Sequence, residues 1–309
     1  MKTSIYPFIL ASLLMSTNGC ETTEKIDDFP LRPSSLVANC YFSSGNIWEF
    51  QVSKSLSVLD NADLRLLNKA HIKVFGDDEL IFEIKEPDPD GWYRCSDPKP
   101  QMGTEYRIEV SAPGFEPASR ARAELPQEVR ITGAELIVKD SSFYEWTDYY
   151  GNQQVNGSIE GSFTVRFQDP PGLQNYYELS VMYFDSVLQN QNPDQIEVYQ
   201  RNLFIFSEDA SVDYGGDGST MLLFRDQVFD GQEFQIKIDF NDWSGSRHKK
   251  YFITLFSLGY PGYFYKQTIA AYRDAVNDPF AEPVQIYTNI ENGYGIFAGH
   301  AVSIFECQL

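Results

Sequence analysis

The stretch GTEYRIEV, at residues 103–110, shows the pattern that decides the fold. Its apolar side chains, Tyr106, Ile108 and Val110, alternate strictly with charged side chains. A period of two places neighbouring side chains on opposite faces of an extended strand, so that one face is buried and the other is solvated. The stretch therefore predicts a strand in a sheet that has one buried and one solvent-facing side.

The same alternation recurs along the chain and predicts further strands. It is clearest at Trp48, Phe50 and Val52; at Leu80, Phe82 and Ile84; at Phe163, Val165 and Phe167; at Tyr177, Leu179, Val181 and Tyr183; and at Phe234, Ile236, Ile238 and Phe240. Residues 251–256 and about 295–305 also favour strands. One helix is predicted over residues 263–276, where four apolar side chains recur at helical spacing. They are Tyr265, Ile269, Tyr272 and Val276. We predict a mostly β protein.

The chain of 309 residues is longer than one hydrophobic core usually supports, which favours two domains. Short strands separated by turn residues predict an N-terminal β-sandwich over residues 35–126. Its end, residues 103–115, resembles the closing hairpin of Ig-like or transthyretin-like modules. Residues 127–309 are expected to form a larger β-sandwich-like domain, with long polar insertions at 141–157 and 189–218 and the C-terminal helix.

The first twenty residues predict export. A positive start precedes an apolar run over residues 5–15, and small residues then lead to Cys20. This is the pattern of a signal peptide covering residues 1–19, and it is too short to span a membrane. Gly19-Cys20 resembles the processing site of a bacterial lipoprotein, which implies a diacylated Cys20. An ordinary signal with an incidental cysteine is the alternative.

The segment after the signal is acidic. Residues 20–34 contain few large apolar side chains, so we predict a flexible lipidated tether. Such a segment also resembles the signal that sends Bacteroidetes lipoproteins to the outer face of the outer membrane; a plain solvated linker is the alternative. The net charge of −20, from 44 acidic and 24 basic residues, would repel a phosphate backbone. We therefore expect no nucleic-acid partner, and attachment to the membrane through lipid on Cys20.

Three cysteines follow Cys20, so at most one disulfide can form among them. Cys40 and Cys95 fall in the same predicted domain and could be bridged, although spacing alone does not fix the pairing. Cys307 is expected to be a small buried thiol.

The run DPFAEPVQIYTNIENGYGIFAG, at residues 278–299, resembles the closing signature of a Bacteroidetes lipoprotein family known as domain of unknown function four-two-four-nine. Three shorter stretches agree: LVANCYF at residues 36–42, VSKS at 52–55 and FDG at 229–231. The resemblance covers nearly the whole mature chain. Members are typically encoded beside TonB-dependent outer-membrane receptors, which implies an accessory role at a transporter. The family supplies no catalytic residues.

Three glycines in this run, Gly293, Gly295 and Gly299, are spaced G-x-G-x-x-x-G and lead into a predicted strand. A dinucleotide-binding turn needs the spacing G-x-G-x-x-G and the N-terminus of a helix, so nucleotide binding is rejected. We expect these glycines to permit tight turns or close approach of the backbone.

No enzyme signature is found. The three histidines are widely separated, no G-x-S-x-G elbow occurs, and 44 carboxylates are too many for composition to nominate a catalytic pair. We therefore expect no catalysis and no cofactor. One glycine-bearing acidic loop could bind Ca²⁺ through carboxylate oxygens, although its spacing differs from an EF-hand and a solvated loop is the alternative. The candidate ligands are Glu208, Asp209, Asp213 and Asp217.

An aromatic cluster within the first polar insertion is the candidate binding site. Its members are Phe143, Tyr144, Trp146, Tyr149 and Tyr150. Exposed rings of this kind can stack on a sugar or anchor a partner protein. A loop that folds back to cover the sandwich is the alternative.

These features together predict a lipid-anchored protein of the outer membrane that faces the cell exterior. It would assist a TonB-dependent nutrient transporter without chemistry, by capturing a small-molecule, glycan or peptide ligand or by acting as a lid. Two other classes stay open: a structural or adhesive surface protein, and a carbohydrate-active enzyme.

Overall fold

The computed structural model describes residues 33–57, 65–147, 149–151, 153–188, 196–215, 218–243, 250–276, 278 and 280–308. Ser34–Leu309 form one compact unit. The predicted signal peptide and nearly all of the predicted tether, including Cys20, lie outside the described residues.

The described residues form 17 strands and one α-helix, α1, at Tyr260–Val276. The strands are β1 (Leu36–Phe42), β2 (Trp48–Lys54), β3 (His71–Gly76), β4 (Glu79–Ile84), β5 (Tyr93–Cys95), β6 (Glu105–Ala112), β7 (Phe115–Glu124), β8 (Ile131–Thr147), β9 (Gln153–Gln168), β10 (Tyr176–Leu188), β11 (Ile196–Asn202), β12 (Ile205–Phe206), β13 (Val212–Tyr214), β14 (Met221–Arg225), β15 (Glu233–Asp242), β16 (Lys250–Leu258) and β17 (Tyr294–Gln308). The prediction of a mostly β, β-sandwich-like protein with one helix is confirmed.

Nine strands make a central sheet, in the order β13-β14-β10-β16-β17-β1-β2-β5, with β11 paired to the distal part of β10. Two four-stranded sheets, β4-β3-β6-β7 and β12-β15-β9-β8, pack side by side on one face of it. Helix α1 lies on the opposite face, against β10, β16 and β17. The fold is therefore a three-layer arrangement of helix, large sheet and two small sheets.

The first core lies between the central sheet and the sheet β4-β3-β6-β7. Trp48 and Phe50 of β2 are fully buried there, as is Phe42 of β1. Tyr106 of β6 meets the Trp48 ring edge-on, with 4.9 Å between ring centroids. The buried residues of these strands are the alternate apolar positions that the sequence predicted.

The second core lies between the central sheet and the sheet β12-β15-β9-β8. Phe163 of β9 stacks on Phe240 of β15, with 4.8 Å between their centroids. Tyr251 of β16 meets the Phe163 ring edge-on at 5.3 Å. Because β9, β10, β15 and β16 each bury one face in this layer, their apolar residues recur at every second position.

The first core is built mainly from residues 36–125 and the second from residues 129–307, but Ile290 and Phe297 belong to the first core and the central sheet runs across the predicted boundary at residues 126–127. β17 pairs in parallel with β1, from Val37↔Tyr294 to Phe42↔Gly299. Phe297 of β17 is fully buried in the first core, 4.7 Å from the Phe42 ring. Without β17, the edge of β1 would expose unpaired backbone groups. The boundary therefore separates two cores within a single compact unit.

Two glycines of the run at 278–299 allow this close pairing. Gly295 has a φ of +108°, and a Cβ there would collide with the carbonyl oxygen of Ala38. A Cβ on Gly299 would lie 2.5 Å from the carbonyl oxygen of Glu124. The prediction that these glycines permit close approach of the backbone is confirmed.

Helix α1 begins three residues before its predicted start, at Tyr260. Its buried residues, Gly262, Tyr263 and Ala270, lie toward the sheet, whereas Tyr272 and Val276 are exposed. The predicted apolar stripe is therefore wrong at its C-terminal end, because close packing on the sheet involves mainly the first half of the helix. Among the described residues, no helix combines the length and the apolar content that a membrane span requires.

Candidate functional site

The first predicted insertion is not a loop but the outer part of the long β8–β9 hairpin. β15 pairs with β9 only as far as Ile159. Beyond that point β8 and β9 pair with each other, from Ser142↔Ser158 to Thr147↔Gln153. We call residues 141–158 the aromatic ribbon. Since a strand rises about 3.4 Å per residue, its six pairs span roughly 20 Å.

The candidate aromatic residues lie along this ribbon and at its turn. Tyr144 and Trp146 are exposed and, being two residues apart on β8, share one face. Tyr149 is 97% exposed, and Tyr150 beside it is also exposed; their rings meet edge-on with 5.5 Å between centroids. The alternative, in which the insertion folds back over the sandwich, is wrong for these four side chains.

Phe143 behaves differently from the other four. Its ring is half-buried and packs against the second core. A Cβ on Gly157, which is its cross-strand partner, would collide with that ring and with the carbonyl oxygen of Ser142. Gly157 thus lets Phe143 fix the base of the ribbon to the body. The sequence signal for this was a glycine inside a strand pattern, which commonly marks a close approach.

An exposed array of tyrosine and tryptophan rings suits recognition better than chemistry. Each ring presents a flat apolar surface and a polar group at its edge, so it can stack on a sugar or enter a pocket of another protein. Such side chains dominate the binding energy of many protein interfaces. Among the described side chains of the ribbon, no histidine or cysteine lies beside the rings.

The three predicted calcium ligands that the structure describes, Glu208, Asp209 and Asp213, do not converge. Asp213 is held by two hydrogen bonds from Arg225, at 2.9 and 2.8 Å, and by one from the Tyr263 hydroxyl. Burial opposes its ionisation, but these hydrogen bonds outweigh burial and lower the pKa of Asp213. Asp209 accepts hydrogen bonds from the backbone and hydroxyl of Ser211, at 2.9 and 2.7 Å.

Glu208 and Asp217 are the other two predicted ligands. Glu208 is exposed, and Asp217 lies outside the described residues. The metal-site prediction is therefore wrong for the described carboxylates of this loop, because Asp213 forms an ion pair with Arg225 and Asp209 organises a turn.

A different trio of carboxylates does converge within the described residues. Oxygen atoms of Asp169, Asp226 and Asp230 lie within 4.8 Å of one another. Asp230 accepts a hydrogen bond from the backbone of Gly172 at 2.8 Å. Sequence reasoning missed this trio, although one member lies in the FDG stretch at residues 229–231.

Hydrogen bonds explain why these carboxylates lie together. Asp169 accepts hydrogen bonds from the Tyr177 hydroxyl and from the Gly231 backbone, the latter at 2.8 Å. Asp226 accepts the Asn175 backbone amide at 2.7 Å. Burial, and then the neighbouring carboxylates, raise the pKa of Asp226. Carboxylates are ligands that Ca²⁺ prefers, but here they join the turn after β9 to the turn before β15.

The described cysteines are free thiols, so the possible Cys40–Cys95 disulfide is not formed. Cys40 points into the first core, where burial raises the pKa of its thiol. Cys95 donates instead to the carbonyl oxygen of Asp97 at 3.1 Å. Cys307 is buried at the second core, as predicted, and burial raises the pKa of its thiol as well.

The fold defines the class: a mostly β, β-sandwich-like protein with one helix and a projecting aromatic hairpin. A family model described as "Domain of unknown function (DUF4249)" matches residues 21–304, and the chain belongs to that family. The match confirms the resemblance inferred from residues 278–299. No curated protein matches the chain.

Proposed function

We propose that this protein is a lipid-anchored accessory of a TonB-dependent receptor at the outer face of the outer membrane. It contacts the receptor through the aromatic ribbon and performs no chemistry. The observation that carries the proposal is the exposure of four aromatic rings on a paired hairpin that extends beyond its sheet.

The size of the exposed aromatic surface supports a protein partner. Tyrosine and tryptophan side chains bury about 150–250 Å² each when fully covered, so these four, which are 44–97% exposed, can still supply about 400–700 Å². A stable interface buries about 800 Å² per partner. The four rings can therefore supply about half or more of one partner's contact area in an ordinary interface, in the residue types that most often anchor one.

The anchor strengthens a contact of this kind. Lipid on Cys20 and a tether over residues 20–34 would hold the ribbon close to a receptor in the same membrane. A tethered contact is effectively intramolecular, so a modest intrinsic affinity suffices for stable association. The net charge of −20 disfavours adhesion of the body to anionic lipid and leaves the ribbon available to a protein.

Photocrosslinking in intact cells tests the proposal. A benzophenone amino acid is placed at Tyr149 in the full chain, and adducts are identified by mass spectrometry. The matched control carries the same group at Leu173, an exposed side chain in the turn at the opposite end of β9. We expect a TonB-dependent receptor adduct from Tyr149 and little or none from Leu173.

Three outcomes would contradict the proposal. They are no adduct at either position, equal receptor adducts at both, and an adduct only with a second copy of the chain. The anchor is tested separately by mass spectrometry of the mature N-terminus, and an unmodified Cys20 would remove that part of the proposal.

A further inference from the structure

A pocket of about 380 Å³ lies between α1 and the outer face of the central sheet. Phe256 and Leu258 of β16 form part of its floor, and Ile269 of α1 contributes an apolar wall. His300 of β17 lies next to Leu258 through strand pairing. A volume of this size is at the lower end of the range for small-molecule sites, about 300–1,000 Å³.

Helix α1 places two basic side chains at this pocket. Lys266 and Arg273 are seven residues apart, with Ile269 between them, so all three lie on the helix face that lines the pocket. No aspartate or glutamate is among the described lining residues. In a chain with a net charge of −20, two bases in one pocket lining are a local departure from the average charge.

The first of these bases is held in place by a buried partner. The Lys266 ammonium lies 2.6 Å from Glu178 Oε2, and the Glu178 side chain is almost completely buried. The ammonium also lies 6.0 Å from the Tyr41 ring centroid and 5.8 Å from that of Phe256. The contact is an ion pair, since no hydrogen bond to Glu178 Oε2 is formed within the described residues. Glu178 offsets the charge of Lys266, and Arg273 is the second basic side chain of the lining.

His300 adds an uncharged imidazole to the pocket. Burial, and then the nearby charge of Lys266, lower the pKa of His300 to about 4. At neutral pH the His300 ring is therefore neutral and offers both a hydrogen-bond donor and an acceptor. The pocket combines an apolar floor, two cations and one neutral polar ring.

We propose that this pocket binds a small amphipathic organic anion, a carboxylate with an apolar body. Its acid group lies between Lys266 and Arg273, and its apolar part packs on Phe256, Leu258 and Ile269. Charge complementarity selects the anion, and the apolar floor selects against small inorganic ions, which would leave that floor uncovered. The proposal does not depend on the aromatic ribbon or on a receptor.

Calorimetric titration of the full mature chain with decanoate, below its micelle concentration, tests the proposal. Decanol is the matched uncharged probe. We expect saturable one-to-one binding of decanoate and about tenfold weaker binding of decanol, because decanol lacks the charge that strengthens hydrogen bonds to the two bases. The Arg273→Gln variant should bind decanoate about tenfold more weakly than the native chain does, and its affinity for decanol should be unchanged.

Two control variants separate the pocket from general effects. Arg130→Gln removes the same charge at an exposed site far along the chain and should leave binding unchanged. Ile269→Trp should fill the pocket and abolish binding of both probes, whereas Val276→Trp, at the exposed end of the same helix, should not. If Ile269→Trp fails to fold by circular dichroism, Met221→Trp fills the same pocket from β14.

Equal affinities for decanoate and decanol, or equal effects of the two arginine variants, would overturn the assignment of an anion. Binding of decanoate that survives the folded pocket-filling variant would place the ligand elsewhere, and an absence of decanoate binding would also refute the proposal. Since none of these measurements involves the receptor, their failure is distinguishable from failure of the crosslinking experiment.

Discussion

Truncation of Phe297 to alanine should destabilise the N-terminal core, although Phe297 lies near the C-terminus of the chain. The ring is fully buried against Phe42, and it belongs to the first core rather than the second. If residues 35–126 were an independent domain, a change in β17 would leave their stability untouched. The shared sheet makes the opposite prediction.

The magnitude follows from the burial of the ring. Phe→Ala in a packed core costs about 3–5 kcal/mol, from lost apolar burial and the cavity that remains. That is a large share of the roughly 5–15 kcal/mol that stabilise an ordinary folded domain. Amides of β6 that exchange only when this core opens should therefore exchange at least about 100-fold faster, because each 1.4 kcal/mol is a factor of ten.

Urea unfolding and hydrogen exchange read by mass spectrometry measure these two quantities. Ile304→Ala is the matched control, since Ile304 lies on the same strand but is 61% exposed, and it should shift stability by no more than about 0.5 kcal/mol. A loss below 1 kcal/mol in Phe297→Ala, or unchanged exchange in residues 105–112, would refute the shared-core reasoning.

Three further outcomes follow from single positions. Gly299→Ala should lower the midpoint of thermal unfolding, because its Cβ would lie 2.5 Å from the backbone of Glu124; an unchanged midpoint contradicts this. Thiol titration of the denatured, non-reduced protein should find Cys40 and Cys95 free, and a reductant should not change the unfolding midpoint. Burial lowers the pKa of His300 from 6.5 to about 4 in the folded protein. Between these two pH values the unfolded chain binds a proton at His300 and the folded chain does not, so the free energy of unfolding should fall as the pH drops from 6.5 to about 4. Urea unfolding at pH 7 and pH 5 should show a smaller loss in His300→Gln than in the native chain.

The strands were predictable because a strand that is buried on one face has apolar and polar residues in alternation. Tyr106, Ile108 and Val110 alternate with charges, and all three are buried in β6. Which strands pair with each other is harder to read from the sequence. The parallel pairing of β1 with β17 joins residues more than 250 positions apart, and alternation in each strand is the same whichever neighbour it has.

The exposure of the ribbon could not be deduced in advance either. Tyr144 and Trp146 look alike whether their insertion covers the sandwich or extends from it, because the rings are suited to both environments. Phe143 shows how local the difference is, since it packs on the core one residue before Tyr144. The trio formed by Asp169, Asp226 and Asp230 was also hidden, because its members are separated by 57 and 4 positions in the sequence and meet only through two turns.

The ribbon and the pocket lie on opposite faces of the central sheet, which predicts that they act independently. The ribbon extends from the sheet that packs on Tyr177 of β10, whereas Glu178, the next residue, points to the pocket side and pairs with Lys266. Sites separated by a rigid layer and sharing no partner usually give additive effects. Ile269→Trp should therefore leave receptor crosslinking at Tyr149 unchanged. If filling the pocket altered the crosslinking yield, the sheet would have to couple the two faces, and the ligand would act as a regulator of partner binding.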